Sequence, residues 1–134
     1  MIFTASGTVI VSRFVKSSGM GTVAANTTAG GKIVGISQDS GRAAPLPANT
    51  ADPVEAAKVG ESLNVHCHFD GNNFPTLEIG SGGCTVGDWL VSDNTGKGVV
   101  AATAGHTVGA QAMETAAAGE KAKVRPVLFT FYTA

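Results

Sequence analysis

Short apolar runs separated by glycine-rich turns are the dominant pattern along this chain. The runs are rich in Val, Ile, Leu, Phe and Thr, which is typical of the strands of a meandering β fold. The pattern predicts strands over residues 8–16, 21–25, 32–38, 62–69, 76–79, 88–92, 98–102, 107–115 and 121–132. Ser17-Ser18-Gly19 and Asp93-Asn94-Thr95-Gly96 have the composition of turns between such strands.

One segment departs from this pattern and predicts a short helix near residues 52–58. Asp52 is a typical N-cap residue, Pro53 is favoured at the first helical position, and Glu55 lies three residues after the cap. The chain would enter this helix through Pro45-Leu46-Pro47, which is stiff and extended because proline restricts both its own backbone and that of the preceding residue.

An internal repeat is the most informative feature of the sequence. Residues 7–12 (GTVIVS) parallel residues 87–92 (GDWLVS), and three further pairs of segments follow in the same order. These pairs begin at Val23 and Val100, at Ile33 and Thr107, and at Gly60 and Gly119. We interpret residues 7–134 as one β domain with a pseudo-repeat of about 7–69 and 87–128, preceded by an N-terminal arm at residues 1–6.

Two such units are expected to pack together, because one alone cannot bury its apolar face. The sequence therefore predicts a mainly β fold: a small, irregular β-barrel or sandwich (β-tulip-like) built from two repeated β-meander units. Gly60-Glu61 and Gly119-Glu120 precede the last strand of each copy. This placement indicates a turn that needs the permissive backbone of glycine.

Composition narrows the range of functions. Charged residues make up 14% of the chain, below the roughly 25% typical of soluble domains, and a weakly charged surface suits burial against other protein. Nine basic and ten acidic residues offer no overall positive charge for nucleic acid. No segment reaches the roughly 18 apolar residues of a membrane span. We therefore expect no nucleic-acid and no membrane partner, and the N-terminus, which lacks signal-peptide features, favours folding in a cytoplasm.

His66-Cys67-His68 is the first place to look for a metal site or a nucleophile. On a strand both imidazoles would point to one face, but a zinc site needs three or four ligands, and only His106 and Cys84 are left to supply them. We favour a structural role, and expect no metal and no other cofactor. A disulfide between Cys67 and Cys84 stays open as an alternative that cytoplasmic assembly disfavours.

Catalytic motifs do not occur in the sequence. The glycine-rich residues 80–83 suggest a phosphate-binding loop, but a predicted strand follows them instead of a helix, and no lysine accompanies them. The chain has neither a Gly-x-Ser-x-Gly elbow nor a His-Glu-x-x-His motif. We therefore expect a binding protein and not an enzyme, and assign no catalytic residue.

A set of residues in the second copy follows the pattern of a known family. These residues are Gly87-Asp88-Trp89-Leu90-Val91, Val108-Gly109-Ala110, Ala116-Ala117-Ala118-Gly119-Glu120 and Val124. They resemble the capsid decoration (cement, or head-stabilising) family of tailed bacteriophages, in which they are turn and core positions. The resemblance implies a virion protein on the outer capsid surface, made and assembled in the host cytoplasm. It further implies binding to the major capsid protein, bridging of its subunits, and a homotrimer.

The segments outside the repeat are the predicted contacts with the capsid. Residues 1–6 are predicted to be a flexible arm that orders by pairing with a capsid strand. Ile2, Phe3 and Thr4 in this arm are therefore predicted to contact the capsid. The proline-rich insertion adds contacts at Pro45, Leu46 and Pro47.

The sequence leaves alternatives open for the placement of the aromatic residues and for the class of function. Trp89 is expected in the core, and the apolar tail from Val127 to Tyr132 is expected either to close the core or to contact another subunit or the capsid. The alternative function is a phage head-fibre or host-surface-binding module. A small hydrolase-like enzyme is disfavoured because its motifs are missing.

Overall fold

The structure, a computed structural model, describes residues 2–38, 55–67 and 74–132. Within these residues it contains twelve β-strands and no helix, and hence no helix that could cross a membrane. The first half contributes β1 (Ile2–Ala5), β2 (Val9–Ile10), β3 (Phe14–Gly19), β4 (Thr22–Ala25), β5 (Gly35–Ser37), β6 (Glu55–Ala57) and β7 (Ser62–Cys67). The second half contributes β8 (Thr76–Glu78), β9 (Trp89–Ser92), β10 (Gly98–Val100), β11 (Thr107–Ala112) and β12 (Lys121–Thr130).

Ten of these strands form two small barrels, one closed and one nearly closed. In the first, which we term barrel A, the order is β1-β4-β3-β5-β7, and β7 pairs with β1 to close the ring. In the second, barrel B, the order is β10-β9-β11-β12-β8, and a parallel bridge between Ile79 and Gly98 brings the end of β8 next to β10. The predicted fold class, a small β-barrel protein built from two repeated meander units, is confirmed.

Barrels A and B share one connectivity. β1 is antiparallel to β7 and parallel to β4, and β8 is antiparallel to β12 and, through its bridge, parallel to β10. The two Gly-Glu turns match in detail, because the Oε1 atoms of Glu61 and Glu120 each accept a backbone N–H from three residues earlier at 2.7 Å. Gly60 and Gly119 have φ angles of 83° and 88°, which explains the glycine at both positions.

The predicted correspondence of residues 7–12 with residues 87–92 is wrong. The strand between β4 and β5 in barrel A is β3, and its counterpart in barrel B is β9. Phe14 of β3 lies opposite Ile36 of β5, in the same way as Leu90 of β9 lies opposite Ala110 of β11. Leu90 therefore corresponds to Phe14 and not to Ile10, with which the predicted repeat aligns it. The strand predicted over residues 8–16 is broken because Ser12, with φ of 62°, turns the chain between β2 and β3. Because apolar residues lie on both sides of this turn, β2 and β3 together have the sequence pattern of a single strand.

The helix predicted near residues 52–58 is wrong where the structure describes this segment. Glu55–Ala57 is strand β6, which pairs antiparallel with β2. Ala57 is fully buried in the core of barrel A. Pairing and burial therefore override the local helix signals. Residues 52–54 lie outside the described residues.

The flexible arm predicted at residues 1–6 is also wrong for residues 2–5. β1 pairs with β4 on one side and with β7 on the other. Ala5 is buried, and Phe3 packs against the core of barrel A. An arm that adds a strand to another protein needs an unused backbone edge, whereas β1 pairs with β7 at Ile2, Phe3 and Thr4 and with β4 at Thr4 and Ala5.

Barrel B is filled in part by side chains from the first half of the chain. Phe14, Ile33 and Ile36 belong to its hydrophobic core, whereas barrel A has a separate core. Gly109 makes room for them, since a Cβ atom at this position would lie 2.6 Å from Phe14 Cε1 and would also collide with Ile33 Cδ1. The small residue in β11 thus allows the first half to enter barrel B.

Buried polar contacts also join the two barrels. Asn26 Nδ2 donates to Ser92 Oγ at 2.6 Å, and the backbone N–H of Gly30 donates to the Ser92 carbonyl at 2.7 Å. Asn26 and Ser92 are each 1% exposed. Arg13 Nε forms an ion pair with Glu78 Oε1 at 3.2 Å. Buried hydrogen bonds need defined geometry, so these contacts fix the orientation of one barrel against the other.

Candidate interaction surface

A row of three cations runs along the outer side of β12. Lys121, Lys123 and Arg125 are exposed and alternate with the buried residues Ala122 and Val124. Because side chains alternate between the faces of a strand, all three cations point away from the core of barrel B.

Two carboxylates lie next to this row, one held by cations outside it and the other by the backbone of Lys123. Glu78, which lies opposite Lys121 in the β8–β12 pairing, contacts Arg13 Nε at 3.2 Å and Lys97 Nζ at 3.5 Å. Glu114 Oε1 accepts the backbone N–H of Lys123. In the part of the chain that the structure describes, neither lysine of the row takes part in an ion pair. Their charges therefore face solvent without an ion-pair partner among the described residues.

Aromatic side chains continue this surface across barrel B. Gln111 lies between Arg125 and Trp89 in the strand register, so that the three side chains share the outer face. Arg125 Nη2 donates to Gln111 Oε1 at 2.6 Å. Trp89 meets Phe129 edge to face, with ring centres 4.9 Å apart, a favourable aromatic geometry. We term the surface formed by Lys121, Lys123, Arg125, Gln111, Trp89 and Phe129 the β12 face.

A pocket of about 240 Å³ adjoins the β12 face at Phe129. Its lining consists of Lys32, Ile33, Thr107, Leu128, Phe129 and Thr130. Leu128 is 45% exposed and Phe129 is 39% exposed, while Ile33 is buried. The lining thus combines apolar side chains with a fourth cation, Lys32.

The apolar tail from Val127 to Tyr132 contributes backbone to the sheet of barrel B and side chains to its surface. β12 pairs with β11 as far as Thr130, which completes this side of barrel B. Leu128, Phe129 and Tyr132 nevertheless keep large exposed fractions. The backbone of the tail closes the sheet, whereas these side chains remain available for contact with another molecule.

The residues predicted to contact the capsid do not belong to the β12 face. Ile2, Phe3 and Thr4 form part of β1 in barrel A, where Ile2 is exposed and Phe3 packs against the core. Pro45, Leu46 and Pro47 lie outside the described residues. A capsid contact at these positions stays a prediction.

The residues considered for metal or redox chemistry are separated in the structure. Cys67 lies in the core of barrel A and Cys84 in the core of barrel B. Burial raises the pKa of the Cys84 thiol, which favours its protonated form. His66 lies on β7, and its Nδ1 has no hydrogen-bond partner among the described residues; His68 lies outside the described residues. Among the described residues, no group of three or more His, Cys, Asp or Glu could hold a metal ion.

Sequence reasoning missed the β12 face, although part of its signal was present. The alternation Lys-Ala-Lys-Val-Arg at residues 121–125 places three cations on one side of a strand. Counting charge over the whole chain conceals this row, because nine basic and ten acidic residues nearly cancel. Trp89, predicted to lie in the core, is only partly buried and contacts Phe129 on the outside of barrel B.

Comparison with known proteins gives a likeness of fold. No protein-family model and no curated protein matches the sequence. Among solved structures, the chain is similar to the N base of the head fibre gp8.5 of bacteriophage phi29, with a TM-score of 0.54 and 17% sequence identity. The likeness covers 99% of this chain and 97% of that chain. At this identity it establishes a shared fold.

Proposed function

We propose that this chain is a structural protein of a phage virion that binds the outer surface of the head. The observation that carries the proposal is the end-to-end likeness to the base of the phi29 head fibre. A fold alone does not specify a function. The resemblance of residues 87–124 to the phage capsid decoration family, which rests on sequence and not on fold, supports the same kind of role.

The leading form of the proposal is a decoration protein that bridges subunits of the major capsid protein. A protein that binds only the assembled shell stabilises it by RT ln(1 + [L]/Kd) per site, about 2.7 kcal/mol at a hundredfold excess over Kd. A homotrimer would add avidity, because one assembly could hold several capsid subunits together. This role requires neither catalysis nor a cofactor.

A second candidate is the base of a head fibre, which is favoured because the similar phi29 protein is itself the base of such a fibre. Both candidates need a surface that binds the head. They differ in copy number, since a decoration protein coats the shell in many copies and a fibre base occupies few positions.

Binding to heads tests both candidates. Heads assembled in the absence of the gene for this chain are mixed with the purified chain, and bound protein is measured after sedimentation. We expect saturable binding and added density on the outer shell in cryo-electron microscopy. Occupancy of most shell positions would support decoration, and occupancy of a few would support a fibre base. Failure to bind at about 10 µM would overturn the head-binding proposal.

The homotrimer is tested separately by sedimentation velocity of the purified chain. The monomer has a mass of 13.4 kDa, and we expect a species of three chains. If the purified chain is a monomer at every concentration, the homotrimer is overturned. The proposed binding to heads would then stand without avidity.

A further inference from the structure

We propose that the β12 face docks against an acidic patch on a protein of the head shell, with an apolar side chain of that protein seated in the pocket beside Phe129. This inference rests on the proposed head-binding function and adds the contact surface and the chemistry of the partner.

Charge complementarity argues for an acidic partner. Lys121 and Lys123 have no ion pair in the described part of the chain, and the neighbouring carboxylate of Glu78 is held by Arg13 and Lys97. Lys32 at the pocket extends the positive surface beyond the row on β12. Opposite charges across an interface steer association and fix its register.

The aromatic end of the β12 face argues for a protein partner. Aromatic residues and arginine are enriched in protein–protein interfaces, and Trp and Arg dominate the residues that contribute most to affinity. Trp89, Phe129 and Arg125 combine these residue types next to a pocket. A nucleic-acid site gains affinity with every phosphate that its cations neutralise, and this surface offers only the three cations of the row and Lys32.

The exposed large apolar residues described on barrel A do not form a comparable surface. Ile2 lies in β1, Met20 at the turn between β3 and β4, and Val59 in the turn before β7. Each stands on a different element of barrel A, and single exposed apolar side chains are normal on soluble proteins. On the β12 face, by contrast, the side chains come from β9, β11 and β12, which are paired strands of one barrel. A rigid surface of this kind loses little conformational entropy on binding.

Charge reversal tests the acidic partner. The double variant Lys121→Glu/Lys123→Glu is compared with Lys16→Glu/Lys58→Glu on barrel A, which changes the net charge equally. Using heads that lack this chain, we expect the first variant to bind at least about tenfold more weakly at about 50 mM NaCl, and the difference to shrink at about 500 mM because salt screens the interaction. The control is expected to bind like wild type. If either reversal lowers Tm, the matching lysine-to-glutamine pairs replace both.

Truncation of the aromatic end tests the apolar part of the contact. Phe129→Ala is compared with Met20→Ala, which removes a fully exposed apolar side chain from barrel A. We expect Phe129→Ala to weaken head binding by about tenfold or more, with circular dichroism unchanged, and Met20→Ala to have no effect.

The outcomes distinguish failure of this docking surface from failure of the proposed head-binding function. If wild type binds heads and the β12-face variants bind equally well, the docking surface is overturned and the function stands. If only Phe129→Ala weakens binding, the acidic partner is overturned. If wild type fails to bind heads, the proposed function falls, and this inference falls with it. Weakening by both β12-face variants, with both controls unaffected, supports the inference.

Discussion

Barrels A and B have the same connectivity but fill their cores differently. Barrel A buries residues of its own half of the chain, including Val23, Leu63 and Val65. The strands of barrel B bury several alanines, and Phe14, Ile33 and Ile36 from the first half lie among them. Because alanine leaves space that larger side chains must occupy, barrel B reaches native packing density only with barrel A in place.

A duplicated β unit therefore need not yield two independent domains. A core that is shared across the junction couples the stability of the two barrels. The β12 face lies entirely on barrel B, yet its rigidity depends on residues of the first half that fill the core beneath it. Variants that disrupt the shared core, or that change equivalent positions of the two barrels, test this coupling.

The largest expected effect follows from Phe14→Ala, which removes a fully buried aromatic ring from the core of barrel B. We expect a loss of about 3–5 kcal/mol in the free energy of unfolding, measured by chemical denaturation. Hydrogen exchange should show lost protection in β9 and β11 as well as in β3. The control Leu63→Ala should cost about 2–5 kcal/mol and affect barrel A first. Lost protection confined to barrel A in Phe14→Ala would contradict the shared core.

The next effect concerns Gly109→Ala, which adds one methyl group where Phe14 and Ile33 enter barrel B. Overpacking should lower the free energy of unfolding by about 1–3 kcal/mol, read from the urea midpoint. Gly7→Ala is the control, because a Cβ atom there has no heavy atom within 4 Å, and it should change stability by less than about 0.5 kcal/mol. Equal stability of the two variants would show that the junction is loosely packed.

Ser92→Ala breaks the polar part of the junction. It leaves the Asn26 side chain without its buried partner in β9, and we expect a loss of about 1–2 kcal/mol in thermal or urea unfolding. Ser18→Ala removes a hydroxyl with exposed hydrogen bonds and serves as the matched control, with a near-zero effect. A junction held by apolar packing alone would give two indistinguishable variants.

Substitutions in the two equivalent Gly-Glu turns are expected to have the least effect. Gly60→Ala and Gly119→Ala each place a Cβ atom in open space but at positive φ, so that only backbone strain is added. Each should cost about 1 kcal/mol, and the two urea midpoints should shift alike. A clearly unequal pair would mean that the turns are not equivalent in the folded protein.

Much of the strand pattern can be predicted because its signals are local. The strands predicted over residues 62–69, 76–79 and 88–92 contain β7, β8 and β9. The prediction of an arm in place of β1 is wrong because nothing in residues 1–6 shows that β4 and β7 lie on its two sides. Glu55–Ala57 carries local helix signals, but its pairing with β2 makes it a strand. The candidate surface escapes sequence reasoning because its aromatic half depends on strand register.

Local features of the chain account for the all-β class, for the glycines at residues 60 and 119, and for the three cations on one side of β12. Each of these depends on the period of two along a strand or on the φ angle of a single residue. Long-range packing accounts for the entry of Phe14 into barrel B, for the contact of Trp89 with Phe129, and for the incorporation of β1 into barrel A. These features join residues far apart in the chain, and their free energy comes from burial of both partners together, which no local pattern encodes.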